Sequence, residues 1–222
     1  MSAEMEDSTS VVGDLFEEMD QTVTAYGPGV VRVDRCVNGT AFYPGGIGLR
    51  RGITAMGAAP RRFPDRPVMI LGHNFDSAAR LDLFCRNGIE PMGVGTWLML
   101  REYLRLARLR PEDCFFSNIY LGLQPLASRG ELKGSDIFKK QCREFLHYQV
   151  ARTKPSLIAV LGIPARDEFD LSGCETNHVK LNHPSYAAAC GATHKRELVL
   201  TGAVTTLSDA LDTYCAHLVR PS

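Results

Sequence analysis

Three polar side chains that could take part in chemistry follow apolar runs of the chain: Asn74 after VMILGH, Asn118 near the end of DCFFSNIY, and His183 after HVKLN. A carboxamide offers both a donor and an acceptor, so it can orient a water molecule or match the edge of a polar ring. A neutral imidazole can donate a hydrogen bond to a negative charge that develops during a reaction. Each residue alone is more often a turn, cap or structural residue. Three such positions in one chain favour a site.

The pattern around these residues predicts strands that alternate with helices. We expect strands at 68–72, 113–120, 156–162 and 178–182, and helices at 11–25, 97–109, 137–154 and 206–219. Ser135 or Asp136 can cap the third helix. This order predicts an α/β fold with three α/β/α layers around a central, mostly parallel four-stranded sheet. Because such sheets bind ligands at the carboxyl ends of their strands, Asn74, Asn118 and His183 are expected to converge.

The length and composition are those of one globular domain. The 222 residues, 45% of them hydrophobic, are expected to form a single domain over 1–222 with an irregular N-terminal extension of about 1–66. No apolar run reaches the length of a membrane span, and the acidic start MSAEMEDSTS does not resemble a secretory signal. We therefore expect a cytoplasmic monomer that does not bind membranes.

Charge and cysteine spacing narrow the function classes. Lys+Arg and Asp+Glu both number 25, so bulk charge does not identify a nucleic-acid protein. The arginines before the first strand form either a solvated loop or a local phosphate-contacting face; they are Arg50, Arg51, Arg61, Arg62 and Arg66. The seven cysteines contain no CxxC pair, so neither a metal site nor a cofactor is expected.

Four motifs in order resemble the uracil-DNA glycosylase superfamily. They are GHNFDS at 72–77, FFSNIY at 115–120, QCREFLHYQVARTKPSLIAVLGIPA at 141–165 and LNHPSY at 181–186. The last motif has the form seen in the bacterial and archaeal thermophile-type branch, and the similarity spans residues 67–190. The resemblance implies hydrolysis of the N-glycosidic bond of a base that has been flipped out of DNA.

The resemblance also implies roles for individual residues. Asn74 would orient the attacking water, with His73 and Asp76 as alternatives for activating it. His183 would donate to the departing base, and Asn118 would read a pyrimidine edge. No lysine is among these residues, so Schiff-base chemistry is not expected and the product would be an intact abasic site.

Several positions depart from the family pattern. The paired N-terminal cysteines of the iron–sulfur cluster are absent, so no cluster is expected. Phe75 replaces the usual proline, and Asp76 stands at the position that faces C5 of the base in uracil-specific enzymes. Met92 aligns loosely with the phenylalanine that stacks on the base. The residues expected to bind the base are therefore His73, Phe75, Asp76, Met92 and Asn118.

DNA contacts are expected from the loop after HPS, YAAACGATHKR at 186–196. Its small residues permit a close approach, and Lys195 and Arg196 can meet phosphates. Tyr186 is a candidate aromatic contact or wedge, and Ser185 precedes it.

Asp76 decides which base is expected. A carboxylate facing C5 gains hydrogen bonds from a hydroxylated substituent and loses solvation against a bare C5–H. This favours hydroxymethylated or glucosylated cytosine of phage DNA, and a role in defence. If Asp76 only caps the helix after the strand, repair of uracil or another deaminated base is the alternative. A non-catalytic nucleic-acid binding module and a domain for free nucleotides are alternatives of another class.

Overall fold

A computed structural model describes residues 8–32, 63–75, 77–87, 95–124, 132, 134–190 and 193–218. The four strands are β1 (Val68–Asn74), β2 (Cys114–Tyr120), β3 (Leu157–Leu161) and β4 (His178–Leu181). The α-helices, in chain order, are α1 (Ser8–Thr22), α2 (Ala78–Asn87), α3 (Gly95–Leu106), α4 (Asp136–Thr153), α5 (Ile163–Ser172), α6 (Pro184–Ala189) and α7 (Thr193–Tyr214). Short 3₁₀ helices occupy Pro111–Asp113 and Ala216–Leu218.

The four strands form one parallel sheet in the order β2-β1-β3-β4. In register, Val68 lies beside Cys114 on one side and Leu157 on the other. Strands β2 and β3 are buried along their whole length, whereas β4 alternates exposed and buried residues. Continuous apolar runs are required where helices cover both faces of a parallel sheet. The prediction of an α/β fold around a four-stranded sheet is confirmed, and the described sheet is entirely parallel.

The helices form two layers on the sheet. Helices α1 and α5 both contact α4, and these three make up one layer. Helices α3, α6 and α7 contact one another and make up the other layer. Helix α1 begins three residues earlier than predicted and packs Leu15 and Met19 into the core. None of the described helices is both long enough and apolar enough to cross a membrane.

Helix α4 forms as its sequence predicts. The Ser135 hydroxyl accepts a hydrogen bond from the backbone N–H of Phe138 at 3.1 Å, which satisfies one free donor of the first turn. The helix ends at Thr153, because Lys154 takes a left-handed conformation with φ of 44° and Pro155 follows. The predicted inner face is buried as a whole: Phe138, Cys142, Phe145, Leu146 and Gln149.

The segment after β4 differs from its prediction. Residues 186–196 were expected to be a loop and the closing helix was expected at 206–219, but α6 covers Pro184–Ala189 and α7 covers Thr193–Tyr214. Pro184 suits the first turn of α6, and the alanines that follow are strong helix formers. Helix α5 was not predicted at all. The loop expectation was wrong, because most of residues 186–196 belong to α6 and α7.

Candidate active site

The candidate site lies at the carboxyl edge of the sheet, where the strand order reverses. The chain runs from β1 to β2 on one side of β1 and then crosses over to β3 on its other side. Ligands of open α/β sheets bind in the crevice that this reversal creates. Strand β1 extends two residues beyond its predicted end, so His73 and Asn74 are strand residues. Asn74 is therefore the last strand residue of β1 at this edge.

Asn74 is held by hydrogen bonds at both ends of its amide. Its Nδ2 donates to the backbone carbonyl oxygen of Phe75 at 2.6 Å. Its Oδ1 lies 2.7 Å from Nδ1 of His73. The His73 ring in turn lies 5.0 Å from the ring of Tyr120, centroid to centroid. Asn74 is half-buried, so part of its side chain stays accessible from the crevice.

The hydrogen bonds of His183 define which of its ring nitrogens carries the proton. His183 caps α6, and its Nδ1 accepts from the backbone N–H of Ser185 at 3.1 Å. The Ser185 hydroxyl oxygen lies 2.6 Å from the same nitrogen. A backbone N–H can only donate, so Nδ1 is the acceptor and a neutral ring carries its proton on Nε2. His183 is therefore arranged as a neutral hydrogen-bond donor through Nε2.

The electrostatic surroundings keep His183 neutral. Burial is the larger of two causes that together lower the pKa of His183 from 6.5 to about 4, and the electrostatic influence of His73 is the other. An uncharged imidazole at neutral pH can donate a hydrogen bond without adding a positive charge to the crevice.

Gly162, which the sequence analysis did not single out, makes room for His183. It follows β3 with φ of 86° and ψ of 162°, a conformation that is essentially restricted to glycine. A Cβ atom at Gly162 would lie 2.9 Å from Cβ of His183. A glycine directly after an apolar strand was the available signal. It marks a close approach between two parts of the backbone.

Two of the expected base-binding residues lie deeper than Asn74 and His183. Asn118 stands opposite Gly72 in the register of β1 and β2 and is 2% exposed. Phe75 is 4% exposed and packs in the hydrophobic core. Of the other three, His73 is half-buried at the end of β1, and Asp76 and Met92 lie outside the described residues.

The expected DNA-binding residues lie on helices instead of a loop. Ser185 and Tyr186 belong to α6, and the Tyr186 side chain is 60% exposed. Lys195 and Arg196 are exposed in the first turn of α7. Because His183 caps α6, this face adjoins the candidate site. Of the arginines before β1, only Arg66 is among the described residues, and it is exposed.

Tyr120 is a second residue that the sequence analysis did not single out. It ends β2 opposite Asn74 in the register and is fully buried. Burial raises the pKa of Tyr120 above its usual value, and the neighbouring Glu168 acts in the same direction. Glu168 itself pairs with Arg143 of α4 at 2.8 Å. Tyr120 is therefore a neutral packing surface beneath His73.

Within the described ranges, no group of three or more His, Cys, Asp or Glu residues is arranged to hold a metal ion. The described cysteines are free thiols: Cys114, Cys142, Cys174, Cys190 and Cys215. The expectation that the protein needs no metal or cofactor stays a prediction.

The fold places Asn74 at the end of β1 and His183 shortly after β4, so both polar residues lie at the carboxyl edge of one parallel sheet. The family model described as the uracil DNA glycosylase superfamily matches residues 52–201, and the chain belongs to this superfamily. Membership assigns the chain to the DNA glycosylases, which are base-excising hydrolases, and makes DNA its substrate. No curated protein sequence matches the chain.

Proposed function

We propose that the protein is a monofunctional DNA glycosylase, which hydrolyses the N-glycosidic bond of a flipped-out pyrimidine and leaves an abasic site. The observation that carries this proposal is the state of His183. Its Nδ1 accepts from the Ser185 backbone, so its Nε2 carries the proton, and its pKa is lowered to about 4. A neutral donor of this kind is suited to a base oxygen on which negative charge develops.

Asn74 supplies the other half of the reaction. The sugar becomes cationic as the bond to the base breaks, so the attacking water needs positioning more than it needs a strong base. The Oδ1 atom of Asn74 has two lone pairs, of which one faces His73 at 2.7 Å. The second can accept a hydrogen bond from a water molecule below C1′. Leaving-group stabilisation by His183 and water orientation by Asn74 then act on opposite sides of the same bond.

The proposed base is a C5-modified cytosine, such as the glucosylated hydroxymethylcytosine of phage DNA. Asp76 supports this proposal, because a carboxylate gains charge-assisted hydrogen bonds from hydroxyl groups and gains none from a bare C5 edge. Asn118 would read the polar edge of the ring, with His73, Phe75 and Met92 also beside the base. Such an enzyme would act in antiviral defence. Release of uracil in ordinary repair is the alternative when Asp76 only caps the following helix.

Base release from a panel of oligonucleotides, followed by mass spectrometry, tests the proposal. Asn74→Ala and His183→Ala should each lower turnover by about two to four orders of magnitude. Asn177→Ala and His147→Ala are matched controls, because both residues are exposed and neither belongs to the carboxyl edge. Full activity of both site variants on the true substrate would show that the site is wrongly assigned.

The same assay separates the alternative classes. A non-catalytic binding module would bind DNA and release no base from any oligonucleotide or phage genome. A domain for free nucleotides would cleave nucleosides in preference to DNA. A glycosylase should lose base release in Asn74→Ala while this variant still binds DNA.

A further inference from the structure

The two contacts of the Asn74 amide determine the protonation of His73. The carbonyl of Phe75 can only accept a hydrogen bond, so the amide atom 2.6 Å away from it is the nitrogen. The amide oxygen therefore faces His73, and this oxygen also can only accept. Since Nδ1 of His73 lies 2.7 Å from it, Nδ1 must carry a proton. The Asn74 amide is thus fixed by one donor and one acceptor, one at each end.

His73 is itself held against the buried side of the sheet. Its ring lies 5.0 Å from that of Tyr120 at an interplanar angle of 59°, which is a favourable tilted arrangement for aromatic rings. Tyr120 is fully buried and packs on Phe138 of α4 at 6.0 Å. A series of packed rings therefore connects the donor on His73 to the hydrophobic core.

We infer that His73 is a positioning residue, which fixes the plane of the Asn74 amide and so the direction of the lone pair that orients the attacking water. The inference rests on the proposed function of Asn74. The terminal torsion of an asparagine side chain has broad wells, so an unsupported amide can rotate or flip. Outer contacts of this kind commonly orient the groups that touch a substrate. This role does not require His73 to contact the base.

Two substitutions of His73 separate this role from a packing role. His73→Phe keeps a ring against Tyr120 and removes the donor. His73→Asn removes the ring but keeps a donor, because Nδ2 of asparagine occupies nearly the place of Nδ1 of histidine. We expect His73→Phe to lower kcat about 10- to 100-fold, the scale of a misplaced reacting group. His73→Asn should restore most of the lost kcat.

A double-mutant cycle with Asn74 completes the test. In an Asn74→Ala background, His73→Phe should cause no further loss in single-turnover rate, because its effect acts only through the missing amide. Thermal unfolding of each variant identifies any that does not fold, and His73→Ala replaces His73→Phe in that case.

Three outcomes would overturn the inference while the proposed function stands, given that Asn74→Ala is impaired. They are a wild-type kcat in His73→Phe, a kcat in His73→Asn no higher than in His73→Phe, and additive losses in the double variant. A fully active Asn74→Ala protein would instead overturn the proposed function, and this inference with it.

Discussion

Gly162 and His183 lie so close together that a single added carbon at the glycine would sit 2.9 Å from Cβ of the histidine. The end of β3 and the start of α6 are therefore in direct contact at this point. The backbone of Gly162 also occupies a region that side chains avoid, with φ of 86°. The position of the proposed donor thus depends on a residue that has no side chain.

Gly162→Ala should lower both stability and activity. The backbone strain costs about 1–3 kcal/mol in the free energy of unfolding. The clash would displace His183, so kcat should fall about 100-fold. Gly173→Ala is the matched control, since Gly173 also has positive φ, at 68°, but a Cβ there meets nothing within 4 Å. It should lose about 1–2 kcal/mol of stability and keep its kcat. Equal kcat losses in both variants would contradict this account.

Stability should fall between pH 6.5 and pH 4 in a way that depends on His183. The pKa of its ring is about 4 in the folded protein and 6.5 as an ordinary value. Between these pH values His183 binds a proton in the unfolded chain but not in the folded protein. The free energy of unfolding therefore decreases as the pH falls from 6.5 to 4. Urea unfolding at several pH values should show a steeper loss for wild type than for His183→Gln. Parallel curves would argue against a buried neutral ring.

The rate of base release has its own pH dependence. Because His183 stays neutral down to about pH 4, its protonation should not reduce the single-turnover rate until the pH approaches that value. A single-turnover rate that decreases below pH 6.5 in the wild type, and that no longer does so in His183→Gln, would contradict the prediction.

Replacing Lys195 and Arg196 together by alanine should weaken DNA binding without changing the chemical step. Each lost phosphate contact reduces the slope of log K against log salt by about 0.7 to 0.9. KM should therefore rise most at low salt while the single-turnover rate at saturation stays constant. Lys180→Ala is the control, since Lys180 of β4 already pairs with Asp170 of α5. If the slope of log K against log salt is unchanged in the double variant, Lys195 and Arg196 of α7 do not contact DNA phosphates.

Asp76→Ala should weaken the preference for hydroxylated or glycosylated C5 substituents more than it weakens any activity on uracil. A substrate without hydroxyls would leave the carboxylate buried and unpaired, at a cost of about 1–3 kcal/mol. Sites built around polar groups reject such analogues strongly. Rates on matched oligonucleotides that carry uracil, hydroxymethylcytosine and its glucosylated form measure this. Efficient release of uracil alone would leave ordinary repair as the function.

Purified protein should be colourless and should remain active in the presence of a chelator. No CxxC pair occurs in the chain, and the described cysteines Cys114, Cys142 and Cys215 are buried thiols. Burial raises the pKa of Cys142 to about 12, which disfavours the thiolate that binds metal ions. Iron or zinc in stoichiometric amounts would contradict this prediction.

Features encoded by neighbouring residues could be predicted from the sequence. The Ser135 cap, the buried face of α4 and the four strands all follow from spacing along the chain. So does the gathering of strand ends at one edge. In contrast, α6 was missed, because a helix of six residues depends on packing against α3 and α7 more than on propensity. The early start of α7 was missed as well.

The finer geometry of the site could not be predicted, because it depends on contacts between distant segments. The closeness of Gly162 to His183 depends on the pairing of β3 with β4, and that of His73 to Tyr120 depends on the pairing of β1 with β2. The donor at Nε2 of His183 likewise depends on the cap of α6, which was expected to be a loop. Motif spacing identifies the residue types but leaves open their tautomers and neighbours.

Because His183 follows β4, its position depends on the local stability of that strand. Asn74 ends an inner strand, whereas β4 is one of the two edge strands of the described sheet and exposes two of its four residues. Outer elements with few buried contacts open by local fluctuation at lower free energy than the core. Fraying of β4 would carry the imidazole away from an intact β1, so activity on heating should disappear before global unfolding. Amide hydrogen exchange in residues 178–181 would then report how long the proposed donor stays in place beside the sheet.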